Sequence, residues 1–314
     1  MDFVLRPLAP YRLDFTVSAL RRDPLNLVDR WESSTYRRVL VVEGSPLGVE
    51  VEQVASAGEP ELAVRLTGAG AEGAGRQQAV AELLRAVLGL DVDLSPFYRL
   101  AARDERLAPL VRRFPGLKPP IMPTVFETLV SAIACQQLSL IAGMHLLAHL
   151  SETYGVVLDG RHAFPRPLDV LGAAPRDLRR LGFSMRKSQT IVRLAEGVAG
   201  GGLDLEALAS LDTEEVVRRL TALPGVGRWT AQYVALRGMR RLDTFPTDDV
   251  GGQNKLQRLL DLPERPDHVE AERILERWRP YPGLVYFYLL LDQLARTGRL
   301  TQAAGSAGAG SAGH

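Results

Sequence analysis

The rhythm of apolar positions changes near residue 90. Before that point the apolar residues come in short, β-branched and partly alternating runs: "RLDFTVSAL" (12–20), "YRRVLVVEG" (36–44), "LGVEVEQVAS" (47–56) and "ELAVRLTGAG" (61–70), with Gly, Ser and Pro between them. Period-2 alternation broken by turn residues predicts antiparallel strands. A helical period follows in "GRQQAVAELLRAVLGL" (75–90), where Val80, Leu83, Leu84, Val87 and Leu88 share a face. From about residue 95 the spacing is helical throughout. "PTVFETLVSAIACQQLSLIAGMHLLAHLSETYG" predicts two helices or one long broken one, and "LDTEEVVRRLTALPGVG" predicts a helix opening on an Asp or Thr cap. The expected organisation is therefore an α+β, strand-rich domain over 1–94, a helical region over 95–301, and a small-residue linker or tag-like tail over 302–314. No repeat at solenoid periods is present.

Composition narrows the class. With 314 residues, 46% hydrophobic and 24% charged, the chain has the profile of a globular protein of roughly two domains at ~150 residues each. No apolar run approaches the ~20 residues of a membrane span, and the N-terminus lacks the features of an export signal, so a cytoplasmic protein without a membrane partner is expected. One cysteine, Cys135, excludes an intrachain disulfide and a four-cysteine iron–sulfur or zinc site built from this chain. His145 and His149 have metal-compatible spacing but no Glu between them and no evident third ligand, which favours an ordinary helix face. The net charge of +1 is uninformative, but "RDLRRLGFSMRK" (176–187) and "RGMRR" (237–241) concentrate basic residues. Each fits a solvated helix face as well as a polyanion contact.

Two stretches suggest chemistry. In "LPGVGRWTA" (223–231), Gly225 and Gly227 surround Val226 just before a helix. Bare backbone at a helix start exposes N–H groups that suit a phosphate oxygen. A compact helix–helix corner with no ligand is the alternative. In "FPTDD" (245–249), Thr247, Asp248 and Asp249 precede the helix "VGGQNKLQRLL". They read as a cap, and equally as a carboxylate fixed for chemistry.

Taken together, "LPGVGRWTAQYVALRG" and "DTFPTDDVG" resemble the helix-hairpin-helix DNA glycosylases with a Gly/Pro-rich loop and an Asp, within them the 3-methyladenine DNA glycosylase II (AlkA) type. "FETLVSAIACQQLS" (126–139) is similar to the family's wedge segment, and "RWRPYPGLVYFYLLL" (277–291) to its C-terminal helix. The resemblance implies a mostly helical glycosylase core of two subdomains with a cleft between them, preceded by a small antiparallel-sheet appendage. It implies Asp249 as the catalytic acid and Asp248 as structural. It implies a base pocket with Trp229 and Tyr233 at matching positions and Val250 and Leu290 where the family has further aromatics, for which Tyr286 and Tyr288 are the candidate substitutes. DNA contacts fall on Gln136, Gln137, Gly225, Val226, Gly227, Arg228, Thr230, Arg186 and Lys187, with Gln137 at the intercalating position. No cofactor is required. The backbone carbonyls of Thr221, Leu223 and Val226 match the family's Na+ or K+ site. Trp229 stands where bifunctional relatives carry a lysine, so no Schiff base is expected. The implied protein is a monomer that removes alkylated purines from double-stranded DNA. The alternatives are a glycosylase for oxidised or deaminated purines and a non-catalytic DNA-binding module.

Overall fold

The alternating segments pair as one antiparallel sheet. The computed structural model describes residues 1–69, 71 and 73–301; the expected tail at 302–314 lies outside them, as do residues 70 and 72. The strands are β1 (Asp2–Leu5), β2 (Arg30–Glu32), β3 (Thr35–Val42), β4 (Ser45–Gln53) and β5 (Leu62–Thr67), in the order β1-β5-β4-β3-β2. Tyr36 lies opposite Val51, and Val51 opposite Val64, so the three form one buried row across the sheet. Two helices cover this face, α1 (Leu13–Arg21) and α2 (Ala74–Leu88).

Helix α1 corrects an expectation, because residues 12–20 read as a strand. Leu13, Val17 and Leu20 recur at helical spacing toward the sheet, while Phe15 and Ala19 pack into a helical core on the other side. Its Asp14 and Ser18 form a polar stripe between those two apolar faces, but that stripe is buried as well and the helix spans only nine residues. Its β-branched Thr16 and Val17 then dominate a reading by composition.

The remaining helices are α3 (Ser95–Ala101), α4 (Leu107–Arg113), α5 (Val125–Cys135), α6 (Leu140–Tyr154), α7 (Pro167–Val170), α8 (Pro175–Arg180), α9 (Met185–Ala199), α10 (Thr213–Thr221), α11 (Arg228–Met239), α12 (Val250–Leu260), α13 (His268–Leu275) and α14 (Pro282–Arg296). They enclose two cores. One gathers α3, α4, α12 and α13 around α14; the other gathers α5, α6, α9 and α10 around α11. Helix α11 serves both, giving Leu236 to the first and Ala231, Val234 and Ala235 to the second.

Buried charge fixes the sheet to the helices. Arg38 on β3 pairs with Asp29 at 2.7 Å and with Glu127 on α5 at 2.6 Å, and the Tyr36 hydroxyl donates to Asp29. Arg237 on α11 donates to the carbonyls of Ala19 and Leu20, satisfying the C-terminal end of α1.

Candidate active site and nucleic-acid interface

The hairpin is built from α10 and α11. Asp212 caps α10 by accepting from the Glu215 amide, and the chain turns after Thr221. Gly225 has φ +85°, and a Cβ there would collide with the Thr190 hydroxyl on α9, so sterics require glycine twice over. Val226 plugs the second core. Gly227 is the N-cap of α11 with no side-chain cap, and a Cβ built on it meets nothing within 4 Å. The amides of Gly225 and Gly227 donate to no acceptor among the described residues. They and the positive end of α11 form a cradle for an anion.

Helix α5 delivers the loop at 136–139, expected to act as a wedge, to this hairpin. Gln136 Nε2 donates to the Gly225 carbonyl at 3.1 Å and to Thr230 Oγ1 at 3.0 Å, joining loop to turn. Lys187 Nζ donates to the carbonyls of Ala134 and Gln136, the open C-terminal end of α5. Burial lowers the Lys187 ionisation. The side chains of Gln136, Thr230 and Lys187 are thus engaged inside the protein. Gln137 stands exposed at φ +55°, beside Leu138, which is 47% exposed. Arg186 is exposed and has no ion-pair partner among the described residues. Arg228, by contrast, reaches Asp248 at 3.9 Å and pairs with Glu272.

The acidic loop is tied to the same helix. Gln232 on α11 accepts from the Thr247 amide at 3.3 Å, and Gln253 on α12 donates to the Thr247 carbonyl at 2.8 Å. Asp249 then caps α12: Oδ1 accepts from the Gly251 amide at 3.2 Å, while Oδ2 accepts from the Tyr286 hydroxyl of α14 at 3.2 Å. Both oxygens are oriented and the residue remains half-buried. Burial pushes the Tyr286 phenol well up, which keeps it a donor.

An aromatic wall flanks this carboxylate. Trp229 and Tyr233 stack at 5.5 Å, and Tyr286 meets Phe245 edge-on at 5.3 Å. Trp229 is half-buried, whereas Tyr233 is only 3% exposed and its hydroxyl accepts from Arg22 Nη1 at 2.7 Å. Val250 lies 51% exposed directly after Asp249, and Leu290 is buried one turn beyond Tyr286. Tyr288 does not join them. Its ring packs 5.4 Å from Phe97 in the core on the far side of α14, because residues two apart on a helix point apart.

Two residues at this site carry no sequence motif. Arg22 follows α1 in a φ +64° conformation and lies behind Tyr233, a placement fixed only by the tertiary fold. Lys255 lies four residues after Gly251, the spacing at which a long helical side chain reaches back over an earlier turn. That spacing is visible in the chain itself.

The carbonyls expected to hold a cation lie at the end of α10 and in the turn after it: that of Leu223 accepts from the Val226 amide, while those of Thr221 and Val226 receive no backbone donor outside the helices. Neutral carbonyl oxygens suit an alkali cation. His149 Nδ1 lies 3.2 Å from the Leu181 carbonyl, and no group of His, Cys, Asp and Glu able to hold a metal occurs among the described residues. Cys135 packs against Gly143. No helix among the described residues is long and apolar enough to cross a membrane.

Comparison with known proteins agrees with this geometry. Residues 130–280 match the model of the HhH-GPD superfamily base excision DNA repair proteins. A DNA-3-methyladenine glycosylase of Bacillus subtilis (strain 168) is 29% identical over 218 residues, 68% of this chain and 72% of that protein. The solved 3-methyladenine DNA-glycosylase from Archaeoglobus fulgidus superposes with a TM-score of 0.81 at 28% identity, covering 92% of this chain and 97% of its own. The 3-methyladenine DNA glycosylase of Schizosaccharomyces pombe in complex with abasic DNA gives a TM-score of 0.56 at 26% identity, over 66% of this chain and 98% of that one.

Proposed function

Because the chain belongs to the HhH-GPD superfamily of base excision DNA repair proteins, we propose that it is a DNA glycosylase that flips a damaged purine from duplex DNA and hydrolyses its N-glycosidic bond. The observation that carries this reading is the double hold on Asp249, by the Gly251 amide and the Tyr286 hydroxyl, at a helix start tied through Gln232 to the phosphate cradle. The hairpin amides grip a backbone phosphate without reading sequence. The exposed loop at Gln137 and Leu138 fills the gap left by the extruded base. Breaking the bond builds positive charge on the deoxyribose, and an anion already fixed beside it favours that state without reorganisation.

Alkylated purines such as 3-methyladenine and 7-methylguanine fit an acid-poor site, since a cationic base departs without protonation. With Trp229 at the hairpin position of the bifunctional relatives' lysine, base release proceeds by water, monofunctionally, leaving an abasic site. A Na+ or K+ held by the carbonyls of Thr221, Leu223 and Val226 would add positive charge beside the gripped phosphate. One observation favours a second lesion class. The Arg22 guanidinium lies 5.8 Å from the Tyr233 ring centroid, so part of the wall's attraction for cations, ~0.5–2 kcal/mol, is already engaged. Neutral deaminated or oxidised purines gain relative to cationic ones. Incubation of methylated, hypoxanthine-containing and 8-oxoguanine-containing duplexes with the protein, followed by identification of the free base, tests both classes. Absence of any released base would remove the enzymatic reading.

A further inference from the structure

The first turn of α12 carries two glycines, Gly251 and Gly252, directly after Asp249 and Val250. A methyl built on Gly251 would sit 3.4 Å from Asp249 Oδ1 and 3.5 Å from Lys255 Nζ. The bare Cα thus floors a slot with a carboxylate on one side and an amine on the other. The amine is unusual on three counts. It reaches back toward a helix N-terminus, where the dipole disfavours a cation. It makes no hydrogen bond or ion pair within bonding distance among the described residues, and the Tyr286 ring centroid lies 6.0 Å away. Burial lowers its ionisation, with Asp249 opposing that shift and Arg258, one turn further on, adding to it. A lysine kept for helix stability would not be placed this way.

We propose that Lys255 is a second catalytic residue of the hydrolysis, holding the attacking water together with Asp249 in the slot over Gly251. This rests on the hydrolytic reading given above. In the step, the water oxygen bonds to C1′ of the flipped deoxyribose and one water proton passes to the neutral Lys255 amine. The C1′–N bond breaks, and its electron pair leaves with the base. Asp249 remains ionised and stabilises the sugar cation. The two groups divide the labour, the carboxylate answering the developing charge and the amine taking the proton.

Two variants test this. Gly251→Ala keeps the amide that Asp249 accepts from, its methyl makes only ordinary contacts, and a helical alanine folds at least as well as glycine, so its melting temperature should not fall. Its methyl nevertheless fills the slot. Lys255→Met keeps the stem and removes the amine. Single-turnover base release from methylated duplex should fall about 10²-fold in each, and no further in the double variant. Binding to a duplex carrying a tetrahydrofuran abasic analogue should stay at the wild-type level. The wild-type rate should rise with pH as the amine becomes neutral, and Lys255→Met should lose that rise. Wild-type rates in Gly251→Ala or Lys255→Met overturn the proposal and leave the glycosylase reading standing. So does a loss that appears only in duplex binding. A wild-type protein that releases no base overturns both.

Discussion

Two helix starts stand side by side at this site and are finished in opposite ways. Helix α11 begins on Gly227, which offers no cap, and the amides around it stay open to an outside anion. Helix α12 begins on Asp249, whose own carboxylate takes the Gly251 amide. The same backbone polarity is left free for a ligand in one case and holds a carboxylate in the other. The difference teaches that a cap can be read as chemistry only when its side chain has a second partner. Asp249 has Tyr286; the caps Asp212 and Asp267 accept from the amides of Glu215 and Glu270 and have no such phenol.

The sharpest way to break the contrast between these helix starts is Asp249→Asn. Asparagine caps about as well as aspartate, so thermal stability should hardly move, while base release should fall ~10²–10³-fold. Asp249→Ala should add a loss of ~1 kcal/mol in stability, read by denaturant unfolding. Wild-type activity in Asp249→Asn would make Asp249 a cap and nothing more. At the other helix start the two glycines should part company. Gly225→Ala, with its φ of +85° and the Thr190 hydroxyl in the way, should cost ~1–3 kcal/mol of stability. Gly227→Ala should leave stability near wild type and weaken duplex binding about tenfold, the worth of one charge-assisted hydrogen bond, because its methyl would stand where the phosphate oxygen sits. Equal effects from the two would dissolve the cradle. Smallest is Arg186→Ala, which should lower the slope of log affinity against log salt by about 1 with little change in lesion preference. Lys187→Ala should instead act on the order of the wedge loop, whose carbonyls it holds.

Both helix starts were legible in the chain, and much of their surroundings was not. The hairpin and the acid pair are local features: their spacing, glycines and cap residues lie within nine and five consecutive residues, and local geometry follows local sequence. The helical periods from 95 onward likewise run long enough to be read locally, even in α5, buried from Val125 to Ala134, and in α14, buried from Pro282 to Leu291. Helix α1 was missed because it spans only nine residues and its β-branched Thr16 and Val17 outweigh a helical spacing that is present. The rest of what stayed hidden depends on distant partners. Arg22 reaches Tyr233 across 211 positions of sequence, and Gln136 reaches Thr230 across 94. Charge alone gives Lys187 no hint that it closes the end of α5 rather than facing solvent. Tyr286 and Tyr288 are equivalent in composition, and only the facing of α14 sends one to the carboxylate and the other to Phe97.

Helix α1 has one more consequence. Since its Leu13, Val17 and Leu20 belong to the sheet's core and its Phe15 and Ala19 to that of α14, the appendage and the catalytic body share a wall. In this chain the two halves lean on each other: an excised helical piece would present raw hydrocarbon and an undressed Arg237 to water, and Tyr233 would lose the Arg22 behind it. The small sheet is then the rear masonry of the proposed reaction chamber, and changes in it should register as altered base release at a distance.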